Sequence, residues 1–102
     1  MNKTLLAAIT EKAFMQQVIE LARIHDWLVY HAYNSRRSAP GFPDLVLARD
    51  SFVIFAELKT EKGNLSTQQQ KWADTLTSDA PTTHIYREWR PSNWNDIEEA
   101  LK

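Results

Sequence analysis

Three ionisable residues stand where apolar elements end. Asp44 follows Pro43 and opens the run DLVLA, and Glu57 and Lys59 lie two apart at the end of SFVIFAELK. Side chains two apart on a strand share a face, so Glu57 and Lys59 point one way and Leu58 the other. If the two runs pair through a turn at Arg49–Ser51, Asp44 and Glu57 become neighbours at one edge of the sheet. Two carboxylates forced together raise each other's pKa unless a cation lies between them. A single lysine offsets one of the two charges. Oxygen ligands without cysteine or paired histidine suit a hard ion such as Mg²⁺ or Mn²⁺, held by few carboxylates and several waters. Such an ion polarises a phosphoryl oxygen and acidifies water, while a nearby ammonium steadies developing charge. The bland alternative for this trio is a salt-bridged strand end.

A third carboxylate comes from a helix. Thr10 is a plausible N-cap, and Phe14, Val18, Leu21, Ala22 and His25 recur at helical spacing, which predicts a helix from Thr10 to His25. Glu11 shares that apolar stripe, whereas Glu20 lies about 180° round the helix and faces solvent. A carboxylate on a buried stripe needs a partner.

The remaining elements must position these groups. Trp27–Tyr33 reads as a strand and Asn34–Pro43 as a loop, followed by strands at Asp44–Ala48 and Ser51–Lys59. The last of these is apolar on both parities, as suits a central strand covered on both faces. Ser66 caps a helix to about Thr77 with Gln69, Trp72, Ala73 and Leu76 on one side. Thr83–Trp89 is a further strand and Asn95–Leu101 a closing helix. An α/β fold follows, a mixed β-sheet flanked by helices with the two charge-bearing strands as its central hairpin.

At 102 residues, 43% hydrophobic and 25% charged, the chain is one ordinary domain spanning residues 1–102. Two glycines leave no room for a glycine-rich phosphate loop. The lack of cysteine removes disulfides, thiolate zinc sites and thiol nucleophiles, and fits a reducing, cytoplasmic location. No apolar run approaches the roughly 18 to 20 residues that span a bilayer. The net charge of −1 argues at first against a nucleic-acid partner. Setting aside Glu11, Asp44 and Glu57 as carboxylates facing a cation leaves the rest of the chain at +2. His25 and His84 have no metal-binding spacing, and Asp96, Glu98 and Glu99 read as the outer face of the last helix.

The segments Gly41-Phe42-Pro43-Asp44 and Glu57-Leu58-Lys59, with Glu11, Gly63-Asn64-Leu65-Ser66, Gln69, Trp72 and Trp89-Arg90-Pro91-Ser92…Trp94, resemble the virus-type replication-repair nuclease (VRR-NUC) domain of the PD-(D/E)xK superfamily. The resemblance implies a restriction-endonuclease-like core in a stand-alone phage or bacterial protein. It implies that Asp44, Glu57 and the Leu58 backbone carbonyl bind Mg²⁺ or Mn²⁺, with Glu11 completing the site directly or through water. Lys59 would activate the attacking water, and Gln69 would hydrogen-bond beside it; Trp72 is expected in the core. Arg36, Arg37, Lys62 and Lys71 are expected to meet DNA phosphates, with Arg87 and Arg90 as further candidates. The expected activity is cleavage of branched DNA by a homodimeric Holliday-junction resolvase, with Trp27–Tyr33 and Thr83–Trp89 as possible dimer surfaces. The alternatives are a flap or replication-fork nuclease and a non-catalytic DNA-binding module.

Overall fold

The computed structural model describes residues 3–32, 39–78 and 83–102. The elements in order are α1 (Lys3–Ala8), α2 (Glu11–Ile24), β1 (Leu28–His31), β2 (Leu45–Arg49), β3 (Phe52–Leu58), α3 (Thr67–Leu76), β4 (His84–Trp89), a single 3₁₀ turn at Pro91–Asn93, and α4 (Trp94–Leu101). The sheet order is β1-β2-β3-β4. The first two pairings are antiparallel, and β3 with β4 is parallel. The expected mixed sheet is therefore present, with β2 and β3 at its centre.

The register places Leu45 opposite Ala56 and Arg49 opposite Phe52. Asp50 and Ser51 form the two-residue turn, with φ of 50° and 68°. Positive φ at both central residues is the hairpin geometry whose twist matches the strands.

One sheet face carries the main core. Leu45, Leu47, Ile54, Ala56 and Leu58 are wholly buried against Phe14, Val18 and Ala22 of α2 and Ile97 and Leu101 of α4. Ile19, not His25, completes the α2 stripe, and Leu21 is only partly buried. Thr10 caps α2 by accepting a hydrogen bond from the Ala13 N–H at 3.0 Å. The helix ends on Asp26 at φ 66°, with Asp26 N–H donating to Arg23 O and Trp27 N–H to Ala22 O. This is the left-handed closure that satisfies terminal carbonyls and turns the chain into β1. Arg49 ties the far end together: its guanidinium donates to the carbonyls of His25, Leu101 and Lys102 and lies 4.4 Å from the Trp27 ring centroid.

The opposite face is covered by α3, with Ala73 buried, and by an edge-on aromatic group. Phe42 meets Phe55 at 6.3 Å and Trp72 at 4.9 Å between ring centroids. Trp72 also donates to the Pro40 carbonyl at 3.1 Å, which fastens the Pro40–Phe42 segment to α3. Trp72 is thus packing, as expected.

The structure departs from the sequence expectations in three ways. Helix α1 was not anticipated, being only six residues long. Strand β1 is four residues, shorter than Trp27–Tyr33, and Tyr33 lies outside the described residues. Tyr86 and Trp89 of β4 and Trp27 are buried, so β4 offers no aromatic dimer surface. Leu28 and Tyr30 of β1 do stand exposed. Among the described residues, no helix is long and apolar enough to cross a membrane.

Candidate functional site

The hairpin register delivers the first pair. With Leu45 opposite Ala56, the next step sets Asp44 beside Glu57 at the ends of the two central strands. Side-chain alternation puts Glu57 on the α3 face, opposite to Ala56 and Leu58. Asp44 is fixed by the backbone: its Oδ2 accepts from the Leu58 N–H at 2.9 Å. A residue's N–H and C=O point to the same side of a strand, so the Leu58 carbonyl also faces Asp44.

Glu57 is 1% exposed and is the buried charged side chain of this core. Its carboxyl is pushed up to about 9. Burial is the largest cause, followed by the Asp44 charge and a hydrogen bond to Asp44, with Glu11 adding to the rise and the Lys59 ammonium opposing it. Burial and the neighbouring Asp44 thus favour the protonated form of Glu57, since two carboxylates this close resist double ionisation. Glu11, in the first turn of α2, is exposed and does not share the buried stripe as expected, because the first turn projects past the sheet edge; its carboxyl is raised by desolvation and then by Asp44, and lowered by Lys59. Glu11, Asp44, Glu57 and Lys59 thus act on one another from three elements.

Gln69 closes the group, and a capping box sets it. The Ser66 side chain accepts from the Gln69 N–H at 3.1 Å, while Gln69 Oε1 accepts from the Ser66 N–H at 2.8 Å. With its oxygen used, the amide turns its nitrogen towards the sheet, and Nε2 donates to Glu57 Oε1 at 3.1 Å. Gln70 instead bonds Asp74, and Gln68 is exposed. Gly41 permits this approach. At φ 81°, a Cβ on Gly41 would lie 2.5 Å from the carbonyl carbon of Gln68 and 2.7 Å from the Gln69 nitrogen. The loop preceding Asp44 is thereby pressed onto the first turn of α3.

The donor set fits a hard divalent cation. It offers a hydrogen-bonded carboxyl pair, one carbonyl facing it and a neighbouring ammonium, and a cation could offset the charge that the pair would carry when ionised. Among the described residues, no three histidine, cysteine or acidic side chains come close enough to cage a metal by themselves. Water would have to supply much of the shell, as hard ions of this kind prefer.

The expected DNA-contact residues are dispersed. Lys62 and Lys71 are exposed, while Arg36 and Arg37 lie outside the described residues. Arg90 is engaged within the fold. It pairs with Glu88 at 2.6 Å and donates to the carbonyls of Thr60 and Gly63, clamping the loop that follows Lys59. Arg87 is exposed and donates to the Tyr86 carbonyl. Sequence reasoning missed both this clamp and Tyr86, whose buried hydroxyl faces the same acidic group. Neither carries a spacing signal, because each depends on contacts between distant segments.

The chain has no match among curated proteins. A solved structure described as a VRR_NUC domain is similar in fold, with a TM-score of 0.63 at 16% identity, over 89% of this chain and 92% of that one. Its likeness is compatible with a restriction-endonuclease-like arrangement of the mixed sheet. The family model described as the VRR-NUC domain matches residues 5–86. That span includes Glu11, Asp44, Glu57, Lys59 and Gln69, and stops short of the Trp89–Trp94 segment. With four-fifths of its length matched, the chain belongs to the VRR-NUC family of nuclease domains of the PD-(D/E)xK type.

Proposed function

We propose that this domain is a metal-dependent, structure-selective DNA endonuclease, a Holliday-junction resolvase acting as a homodimer. The observation that carries the reading is the buried Glu57 carboxyl beside half-buried Asp44, flanked by Lys59 and oriented by Gln69. A merely structural strand end would not retain an acid pair that is costly to bury. Asp44, Glu57 and the Leu58 carbonyl would hold Mg²⁺ or Mn²⁺, with Glu11 joining directly or through water, and the ion would supply Lewis acidity to a phosphoryl oxygen and to water. The Lys59 ammonium orients the attacking water and offsets the charge gathering on the phosphate. The water oxygen joins phosphorus as the ester P–O bond opposite breaks, its proton passes to solvent, and the leaving oxygen is protonated. Gln69 holds Glu57 in place throughout.

Arg36, Arg37, Lys62 and Lys71 are the proposed phosphate contacts, which would make binding fall steeply with salt. The homodimer is supported by β1, an outer strand with Leu28 76% and Tyr30 61% exposed. A two-fold pair of sites suits the two equivalent strands of a four-way junction. The test is cleavage of synthetic four-way junctions, flaps and duplex with Mg²⁺, Mn²⁺ or EDTA. Cutting of junctions with either metal, lost with EDTA and in Asp44→Asn and Lys59→Ala, is expected. A wild type inert on every substrate refutes the nuclease reading, and preference for flaps moves it to a fork nuclease. A monomer mass by light scattering, together with no junction binding, removes the resolvase.

A further inference from the structure

One buried polar group is left over by the chemistry above. Tyr86 is 8% exposed, and its hydroxyl has no hydrogen-bond partner among the described residues. Burying a hydroxyl without a partner is costly, so its retention calls for a reason. Its place supplies one. Tyr86 pairs with Phe55 in the parallel register, two residues before Glu57 on the same strand, and therefore shares the α3 face with Glu57. The charged groups that act on it are all acidic: Glu57 most strongly, then Glu88, Asp44 and Asp74. Burial among them keeps the phenol protonated far above neutral pH, so its hydroxyl retains a proton to donate. Glu88 is engaged by Arg90 and Asp74 by Gln70, each through a hydrogen bond. Glu57 Oε1 takes one hydrogen bond, from Gln69, and a carboxylate oxygen has room for a second.

We propose that Tyr86 is a positioning residue of the site, whose hydroxyl is held in reserve as a second donor to the Glu57 carboxylate and engages it when a divalent cation occupies the Asp44–Glu57 pair. The proposal rests on the metal-dependent reading of the site. With the cation bound, the Tyr86 hydroxyl gains the Glu57 carboxylate as its acceptor. Outer donors of this sort fix the orientation and basicity of a metal-binding carboxylate.

The test is Tyr86→Phe, which keeps the ring and removes the donor. Three readouts are needed: melting temperature without metal, Mn²⁺ affinity by electron paramagnetic resonance titration, and junction cleavage. In metal-free buffer, Tyr86→Phe should melt at or above the wild-type temperature. It should bind Mn²⁺ about tenfold more weakly, with kcat reduced and KM for DNA unchanged. Equal Mn²⁺ affinity and equal kcat in the two proteins would overturn the proposal while leaving the nuclease reading intact. A variant destabilised equally with and without Mn²⁺ would also overturn it, by showing a purely structural role. A wild type that binds no Mn²⁺ and cuts nothing would instead bring down the reading on which the proposal stands.

Discussion

Replacing Glu57 by glutamine should make the metal-free protein more stable, and increasingly so as pH rises. The folded carboxyl titrates near 9, against an ordinary value of 4.5. The folded chain therefore keeps a proton that the unfolded chain gives up. Wild-type stability is fully present below pH 4.5 and is lost progressively as pH climbs towards 9. At pH 8 the loss amounts to a ceiling of about 5 kcal/mol at 1.36 kcal/mol per unit. Relaxation of Asp44 and the nearness of the Lys59 ammonium reduce this to about 2 to 3 kcal/mol at realistic interior screening. Glutamine has the size of the protonated acid, can donate to Asp44 and accept from Gln69 Nε2, and carries no proton to lose. Thermal melts of both proteins in EDTA between pH 5 and 9 should show near-equal midpoints at pH 5. By pH 8, Glu57→Gln should melt roughly 10 to 20 °C higher. Mn²⁺ at pH 8 should raise the wild type and leave the variant unmoved. Parallel curves, with a constant difference at every pH, would refute the reasoning by showing that Glu57 ionises freely in the fold.

Other substitutions probe the scaffold around the pair. Gly41→Ala forces a Cβ into the backbone of Gln68 and a strained φ, so it should cost at least about 2 kcal/mol by urea denaturation and lower cleavage with it; a neutral result would mean that the loop does not press on α3. Ser51→Gly relieves a left-handed non-glycine residue in the β2–β3 turn and should raise stability by about 1 kcal/mol without changing cleavage. Ser66→Ala and Gln69→Ala each break the capping box and should lose a similar amount, about 1 kcal/mol. Only Gln69→Ala should also weaken Mn²⁺ binding, because it alone bonds Glu57; equal metal affinity in the two variants would refute that link.

The central hairpin was legible because strand alternation and a two-residue turn leave one register that buries Leu45, Leu47, Ile54 and Ala56 together. That register places Asp44 beside Glu57 without further information. The α2 stripe misled for Glu11, which is exposed, and for His25, whose place Ile19 took, yet Glu11 still acts electrostatically on Asp44 and Glu57. The Arg90 clamp was not legible. An arginine seven residues before the last helix's first buried residue, Ile97, reads as a surface cation until the Thr60 and Gly63 carbonyls are seen around it. Tyr86 was hidden for a related reason: an aromatic residue in a strand packs in either direction, and only the arrival of α3 decides which. Helix α1 escaped because six residues give too little periodicity to separate a helix from an apolar patch.

Gln69 shows why the site and the fold are hard to separate in a domain this small. One amide caps α3 with its oxygen and holds Glu57 with its nitrogen, so the helix start and the acid pair share a single rotamer. Gly41 lies against the same turn, and the chain runs from it through Phe42 and buried Pro43 into Asp44. Both carboxylates are thus referenced to the first turn of α3, one through the sheet and one through the loop. A shift of that turn would alter their separation, and with it the protonation of Glu57 or the cation between them. The same economy fits a nuclease domain of acidic net charge: the −1 includes Glu11, Asp44 and Glu57, which act on one another, while Lys62 and Lys71 stand exposed. Charge in such a domain has to be read by location, because its average mixes the cation-seeking centre with the anion-seeking surface around it.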